Sequence, residues 1–158
     1  MDFGEYPMIE AVNFIVNGLP IAQPRHRVAC RNGGFPKMYI PKSHAVHSYK
    51  AAIIEKAIAN ISGMIEGAVK LDCLFVFKAT RKNQISQYRI SKPDLDNLVK
   101  SVMDGITIAG EHGHGWMDDS QVTELHCAKM FGVSNYAQIR IEPIGFPVGK
   151  NCNAVETP

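Results

Sequence analysis

The sequence has 158 residues, of which 46% are hydrophobic and 20% are charged, and its formal net charge is +2. These values are close to those of soluble globular domains and exclude a disordered chain, a collagen-like repeat and a coiled coil. No apolar run approaches the roughly 18 residues of a membrane span, and the acidic N-terminus lacks the pattern of a secretory signal. We therefore expect a cytoplasmic protein, with no membrane partner and a single domain over residues 1–145.

The first half of the chain predicts a strand, a helix and a second strand. Ala11–Asn17 is short, apolar and β-branched, as strands are, and a basic loop follows it. Ser43 is a suitable N-cap for a helix that ends near Ile61. Ala68–Lys78 alternates apolar and polar residues, which indicates a strand with one solvated face.

The second half predicts a loop, a helix and two strands. Residues 80–93 are polar and basic, whereas the apolar positions from Asp94 to Gly110 recur at helical spacing. Strands are expected at Gln121–Met130 and Asn135–Glu142, and their short connection favours an antiparallel hairpin. The fold class is then α+β, with a mixed or mostly antiparallel sheet and two helices packed on one face. Residues 146–158 are expected to form a flexible tail.

Basic residues are segregated along the chain. Leu19–Lys50 contains six Lys or Arg residues and Lys78–Pro93 contains five, and neither window has an Asp or Glu. Such segregation suits a polyanionic partner, although two solvated loops would explain the pattern equally well.

Two acidic pairs are the candidates for chemistry. Asp94 and Asp96 stand at the start of the second helix, where Lys100 shares the helix stripe of Asp96. Asp118 and Asp119 follow the only tryptophan in a turn before a strand. Helix capping would explain one acid of the first pair, and turn preference would explain the second pair. Together, however, carboxylates beside a basic surface are suited to holding a divalent metal ion for phosphoryl chemistry.

The stretch KPDLDNLVKSVMDGI, followed by WMDDSQV, resembles the signature of the RusA-type Holliday junction resolvases. These are crossover junction endodeoxyribonucleases of bacterial genomes and prophages that act in DNA recombination and repair. The likeness is close over residues 92–123. The order of strands and helices is similar up to Ile144.

The resemblance implies a homodimer that cuts four-way branched DNA with Mg²⁺, or with Mn²⁺ as a substitute, and without a small-molecule cofactor. By position, Asp94, Asp96 and Asp119 match the family's metal-binding carboxylates, and Lys100 matches its essential lysine. Asp118 adjoins the set and is a further candidate metal ligand. One departure is the longer turn at residues 111–115, which carries His112 and His114. Imidazole is a poor magnesium ligand, so a flexible solvent-exposed turn is expected there.

The leading hypothesis is therefore a metal-dependent junction endonuclease, with the basic loops contacting phosphates. The candidate DNA-binding residues are Arg25, Arg27, Arg31, Arg81, Lys82, Arg89 and Lys92. The alternatives are a non-catalytic or non-junction-selective protein of the same fold and a phosphometabolite enzyme. A phosphometabolite enzyme would be expected to contain a glycine-rich phosphate loop, and this sequence lacks one. Ile15, Leu74 and Val76 are expected to be exposed on the sheet and to mark the partner surface of a dimer.

Overall fold

The computed structural model describes residues 10–29 and 37–144, with the backbone alone at 27–29 and 37–38. Arg31 and the tail at 146–158 lie outside these residues. No helix in the described ranges is both long and apolar enough to cross a membrane. The main elements are β1 (Val12–Asn17), β2 (Arg27–Ala29), β3 (Lys37–Tyr39), α1 (Val46–Asn60), β4 (Val69–Lys78), α2 (Leu95–Glu111), β5 (Val122–Gly132) and β6 (Tyr136–Pro143).

Four strands form a mixed sheet in the order β1-β6-β4-β5. The strand β6 is antiparallel to both β1 and β4, whereas β4 and β5 are parallel, with Leu71 opposite Leu125. The α+β prediction is confirmed, with two helices and a mixed sheet.

The predicted hairpin of the last two strands is wrong. The strands β5 and β6 do run in opposite directions, but β4 lies between them and pairs with both. Residues 133–135 therefore pass the end of β4, where Asn135 Oδ1 accepts a hydrogen bond of 2.7 Å from the Lys78 amide. The short connection is compatible with this arrangement because it needs to span only the width of one strand.

The core lies between the sheet and the two helices. Alternate residues of β4 point into it, as the sequence predicted, and meet Ile53 of α1 and Leu98, Val102 and Ile106 of α2. No helix within residues 10–29 and 37–144 covers the opposite face of the sheet, which is called here the open face and is lined by Asn13, Asp72, Leu74, His126, Gln138 and Arg140.

Three local expectations require correction. Ser43 does not cap α1, which begins at Val46; instead Nδ1 of His44 accepts a hydrogen bond of 3.1 Å from the Val46 amide. The basic loop after β1 contains the antiparallel pair β2–β3, which the sequence did not predict because each strand has only three residues. Val76 is buried.

Burial of Val76 follows from its neighbours on the sheet. Its side chain is only 3% exposed, and Leu74 is half-buried, whereas Ile15 is 47% exposed. A Cβ atom at Gly132 would lie 2.5 Å from Val76 Cγ1, so β5 approaches Val76 closely. The expected apolar patch is therefore smaller than predicted and does not include Val76.

Candidate active site at the start of the second helix

Asp94 occupies the N-cap position of α2, but its carboxylate does not cap the helix. It binds the ammonium of Lys92 instead, and it is about half exposed. The hydrogen bond to Lys92 lowers the pKa of Asp94 below its ordinary value, and the nearby charges of Lys129 and Arg25 lower it further. Asp94 is thus a charged, solvent-accessible carboxylate, and helix capping does not account for it.

The segment that leads to Asp94 is fixed by two cations. Lys129 of β5 donates hydrogen bonds to the carbonyls of Ser91 (2.9 Å) and Pro93 (2.6 Å). The Arg89 guanidinium lies 4.3 Å from the Phe77 ring centroid and donates to the Lys92 carbonyl at 3.0 Å. Arg89, predicted to contact DNA, thus also stabilises this loop.

The polar stripe of α2 extends further than the sequence analysis assigned. Asp96, Lys100 and Asp104 are spaced four residues apart, and Lys100 Nζ lies 2.9 Å from Asp104 Oδ1. The same ammonium lies 2.9 Å from Asp119 Oδ2, although Asp119 is nineteen residues further along the chain. The fold therefore brings together Lys100 and Asp119, two of the residues predicted for the site.

Asp104 and Lys50 are the residues that sequence reasoning missed. Lys50 of α1 binds Asp104 Oδ2 at 2.7 Å, and the two side chains are 16% and 22% exposed. The sequence did signal Asp104, through its spacing from Lys100 and its place in the motif KPDLDNLVKSVMDGI, but it gave no signal for Lys50, which is fifty-four residues away. Lys50, Asp104, Lys100 and Asp119 form a continuous series of ion pairs, called here the charge chain.

The pKa values of the central pair favour the charged forms. Hydrogen bonds to Asp119 and Asp104 raise the pKa of Lys100 well above its ordinary value. Burial raises the pKa of Asp104, but its hydrogen bonds to Lys50 and Lys100 outweigh burial, so the net shift is downward. Lys100 is a fixed cation at neutral pH.

Asp118 and Asp119 have separate roles in the turn before β5. The Asp118 carboxylate accepts a hydrogen bond of 2.8 Å from the Ser120 amide and so caps a short 3-10 helix, Asp119–Gln121. This hydrogen bonding lowers the pKa of Asp118. The side-chain amide of Gln121 ties the turn to the carbonyls of Ile65 and Gly67. Asp118 stabilises the turn that presents Asp119 to Lys100.

The lengthened turn after α2 is packed against the domain. His114 Nδ1 lies 2.7 Å from the Ile61 carbonyl oxygen, and a Cβ at Gly110 would overlap the Trp116 carbonyl oxygen. Trp116 is fully buried and donates from Nε1 to Thr107 Oγ1 at 2.8 Å. The expectation of a flexible turn is therefore wrong for His114, whereas His112 is exposed.

Three of the other candidate DNA-binding residues are exposed cations. Arg25 is exposed and close enough for its charge to act on Asp94. Arg81 and Lys82 are exposed on the loop before α2, and neither forms an ion pair with any described residue. Only the backbone of Arg27 is described.

The carboxylates fit a hard divalent cation by their chemistry, since Mg²⁺ is bound through carboxylate oxygens. Asp94 and Asp119 are accessible, with side chains 48% and 36% exposed, and each binds a lysine ammonium. Asp96 lines the same groove as Lys100. Within the described ranges, no three Asp, Glu, His or Cys side chains already converge as a metal cluster. The carboxylates of Asp94 and Asp119 are thus suited to a metal ion that would take the place of the lysine ammonium groups.

Comparison with known proteins shows similarity to one family. A family model described as "Endodeoxyribonuclease RusA" matches residues 17–142. "Uncharacterized protein YqaN" of Bacillus subtilis (strain 168) is 26% identical over an alignment of 147 positions, and the alignment covers 86% of this chain and 99% of that protein. "Crossover junction endodeoxyribonuclease rusA" of Lactococcus phage r1t is 32% identical over 76 residues, 48% of this chain and 55% of that protein.

The resemblance seen in the sequence motifs is thus confirmed over a much longer stretch. The matched residues include both helices and the acidic residues at positions 94, 96, 118 and 119. The chain belongs to the RusA endodeoxyribonuclease family.

Proposed function

We propose that this protein is a metal-dependent endodeoxyribonuclease that resolves four-way DNA junctions, and that it does so as a homodimer in DNA recombination and repair. The observation that carries the proposal is the contact of Lys100 with Asp119 beside Asp96 on α2. A capping or turn role requires no contact between these distant acidic segments. A metal-dependent site for phosphodiester hydrolysis, by contrast, needs carboxylates for the metal ion and benefits from a cation on the same surface.

In this proposal Asp94, Asp96 and Asp119 hold Mg²⁺ or Mn²⁺. When bound, the metal would activate a water molecule and stabilise negative charge on the scissile phosphate. Asp118 keeps the turn of Asp119 in place through its hydrogen bond to Ser120. It is therefore a supporting residue.

Lys100 supplies a positive charge toward the phosphate. Its raised pKa means that it remains protonated at neutral pH, so it stabilises charge and is not a general base. Arg25, Arg81 and Lys82 are exposed cations that would contact the DNA backbone and orient it without reading sequence.

Dimerisation would bring two such sites to one junction. Each chain carries a single Asp94, Asp96 and Asp119 set, and a two-fold dimer is the common way to present two equivalent sites. On the open face, Ile15 is exposed and Leu74 is half-buried, so this face is the candidate contact between copies.

The test is a cleavage assay on a synthetic four-way junction and on linear duplex of the same sequence, each with Mg²⁺ or with chelator. The proposal predicts symmetric nicks on the junction alone and only with metal. Binding without cleavage would indicate a non-catalytic protein of this fold. Equal cutting of both substrates would indicate a nuclease without junction selectivity.

A further inference from the structure

We propose that Lys50 and Asp104 set the metal affinity of the site by controlling how strongly Lys100 holds Asp119. This inference rests on the proposed function, because it assumes that Asp119 is a metal ligand. Neither Lys50 nor Asp104 belongs to the proposed ligand set. They are positioning residues that act through Lys100.

Two carboxylates share the ammonium of Lys100. Its Nζ lies 2.9 Å from Asp104 Oδ1 and 2.9 Å from Asp119 Oδ2, so the two carboxylates compete for one cation. Lys50 Nζ lies 2.7 Å from Asp104 Oδ2 and occupies the other oxygen of that carboxylate. Lys50 therefore weakens the hold of Asp104 on Lys100, and Asp104 weakens the hold of Lys100 on Asp119.

Burial gives this competition its strength. The Lys50 and Asp104 side chains are 16% and 22% exposed, whereas Lys100 is 50% and Asp119 is 36% exposed. Solvent screens charge interactions less at the buried end, so the Lys50–Asp104 pair is the stable part of the charge chain. The Lys100–Asp119 contact lies at the exposed end, where an incoming cation can exchange with an ammonium.

Removal of two neighbouring residues should then have opposite effects. In Asp104→Asn, Lys100 would turn entirely to Asp119 and a metal ion would displace it less easily. In Lys50→Met, Asp104 would bind Lys100 alone, and Asp119 would be freer to bind a metal. A purely structural pair would instead weaken metal binding in both variants, because either change would loosen the contact of α1 with α2.

The experiment measures Mn²⁺ binding to the DNA-free protein from the electron paramagnetic resonance signal of free Mn²⁺. We expect Asp104→Asn to weaken binding by about fivefold and Lys50→Met to strengthen it by about threefold, the scale of a partly exposed ion pair. In the double variant, Lys50→Met should add no gain, since its effect passes through Asp104. Independent long-range charge effects would instead give additive changes, and additivity would overturn the inference.

Three further variants make the outcomes distinguishable. Lys56→Met, on the same helix but in no ion pair with described residues, should leave Mn²⁺ affinity within about twofold of wild type. Lys50→Arg keeps the cation and should restore wild-type affinity, which provides a test even if Asp104→Asn does not fold. Asp119→Asn should lose binding. If wild type itself binds no Mn²⁺ at millimolar concentration, the proposed metal site fails as well; if it binds but Lys50→Met weakens binding, only this inference fails.

Discussion

The ammonium of Lys129 donates a hydrogen bond of 2.6 Å to the Pro93 carbonyl, which links the middle of β5 to the residue before Asp94. Lys129 also holds the Ser91 carbonyl. The segment that leads to Asp94 is thus tied to the sheet by the half-buried side chain of Lys129 and is not a free loop.

Lys129→Met should reduce the cleavage rate by about 10- to 100-fold, because a displacement of about 1 Å at a reacting group is enough for such a loss. The methionine keeps most of the side-chain volume but cannot hold the two carbonyls. Single-turnover cleavage measures the rate, and Lys56→Met, on α1 and in no ion pair with described residues, is the control. Equal rates in Lys129→Met and wild type would show that the tether does not position Asp94.

Asp94→Asn or Asp96→Asn should abolish cleavage while junction binding in chelator stays the same or becomes tighter. Without metal, these carboxylates repel phosphates, and the amide removes that repulsion. Cleavage gels and gel shifts on the same preparations separate the two effects. A well-folded variant that lost binding together with cleavage would contradict the assigned role.

The double variant Arg81→Ala with Lys82→Ala should weaken DNA binding and flatten its salt dependence. Each phosphate contact contributes about 0.9 to the slope of log affinity against log salt on duplex DNA, so loss of both contacts would reduce the slope by up to about 1.8. Binding titrations at several salt concentrations measure it, with Lys56→Ala as a control on α1. An unchanged slope would place this loop away from the substrate.

Asp104→Asn should destabilise the metal-free protein at neutral pH but not in acid. The folded pKa of Asp104 is lowered, so this carboxylate contributes stability above its unfolded pKa of about 3.9 and loses it as pH falls through the folded value. The difference in unfolding free energy between wild type and variant should shrink below about pH 4. Denaturant titrations at several pH values measure this difference. A constant difference across that range would mean that the Asp104 charge is not what stabilises the fold.

Local periodicity was sufficient to predict the long elements. The apolar stripe of α2 and the alternation of β4 were read correctly because each depends on neighbours within a few positions. The pairing of β5 with β4 was not predicted. A three-residue connection between β5 and β6 fits both a hairpin of these two strands and a crossing past the end of β4.

The same distinction applies to the site. Asp96 and Lys100 share a helix stripe that the sequence makes visible, and the structure adds the Lys100–Asp119 contact. The contribution of Lys50 could not be predicted, because its pairing with Asp104 depends on how α1 packs against α2. The stacking of Arg89 on Phe77 could not be predicted either, because it depends on how the loop packs against the sheet.

A supercoiled plasmid with an extruded cruciform distinguishes paired cuts by two copies of the acidic site from single nicks. Wild type should convert the plasmid to the linear form with Mg²⁺, and light scattering should give about twice the 17.4 kDa chain mass. Wild type mixed and refolded with excess Asp119→Asn should give nicked circles, because each mixed dimer has one working site. Linear product at an undiminished rate from that mixture, or linear product from a stable monomer, would contradict the account.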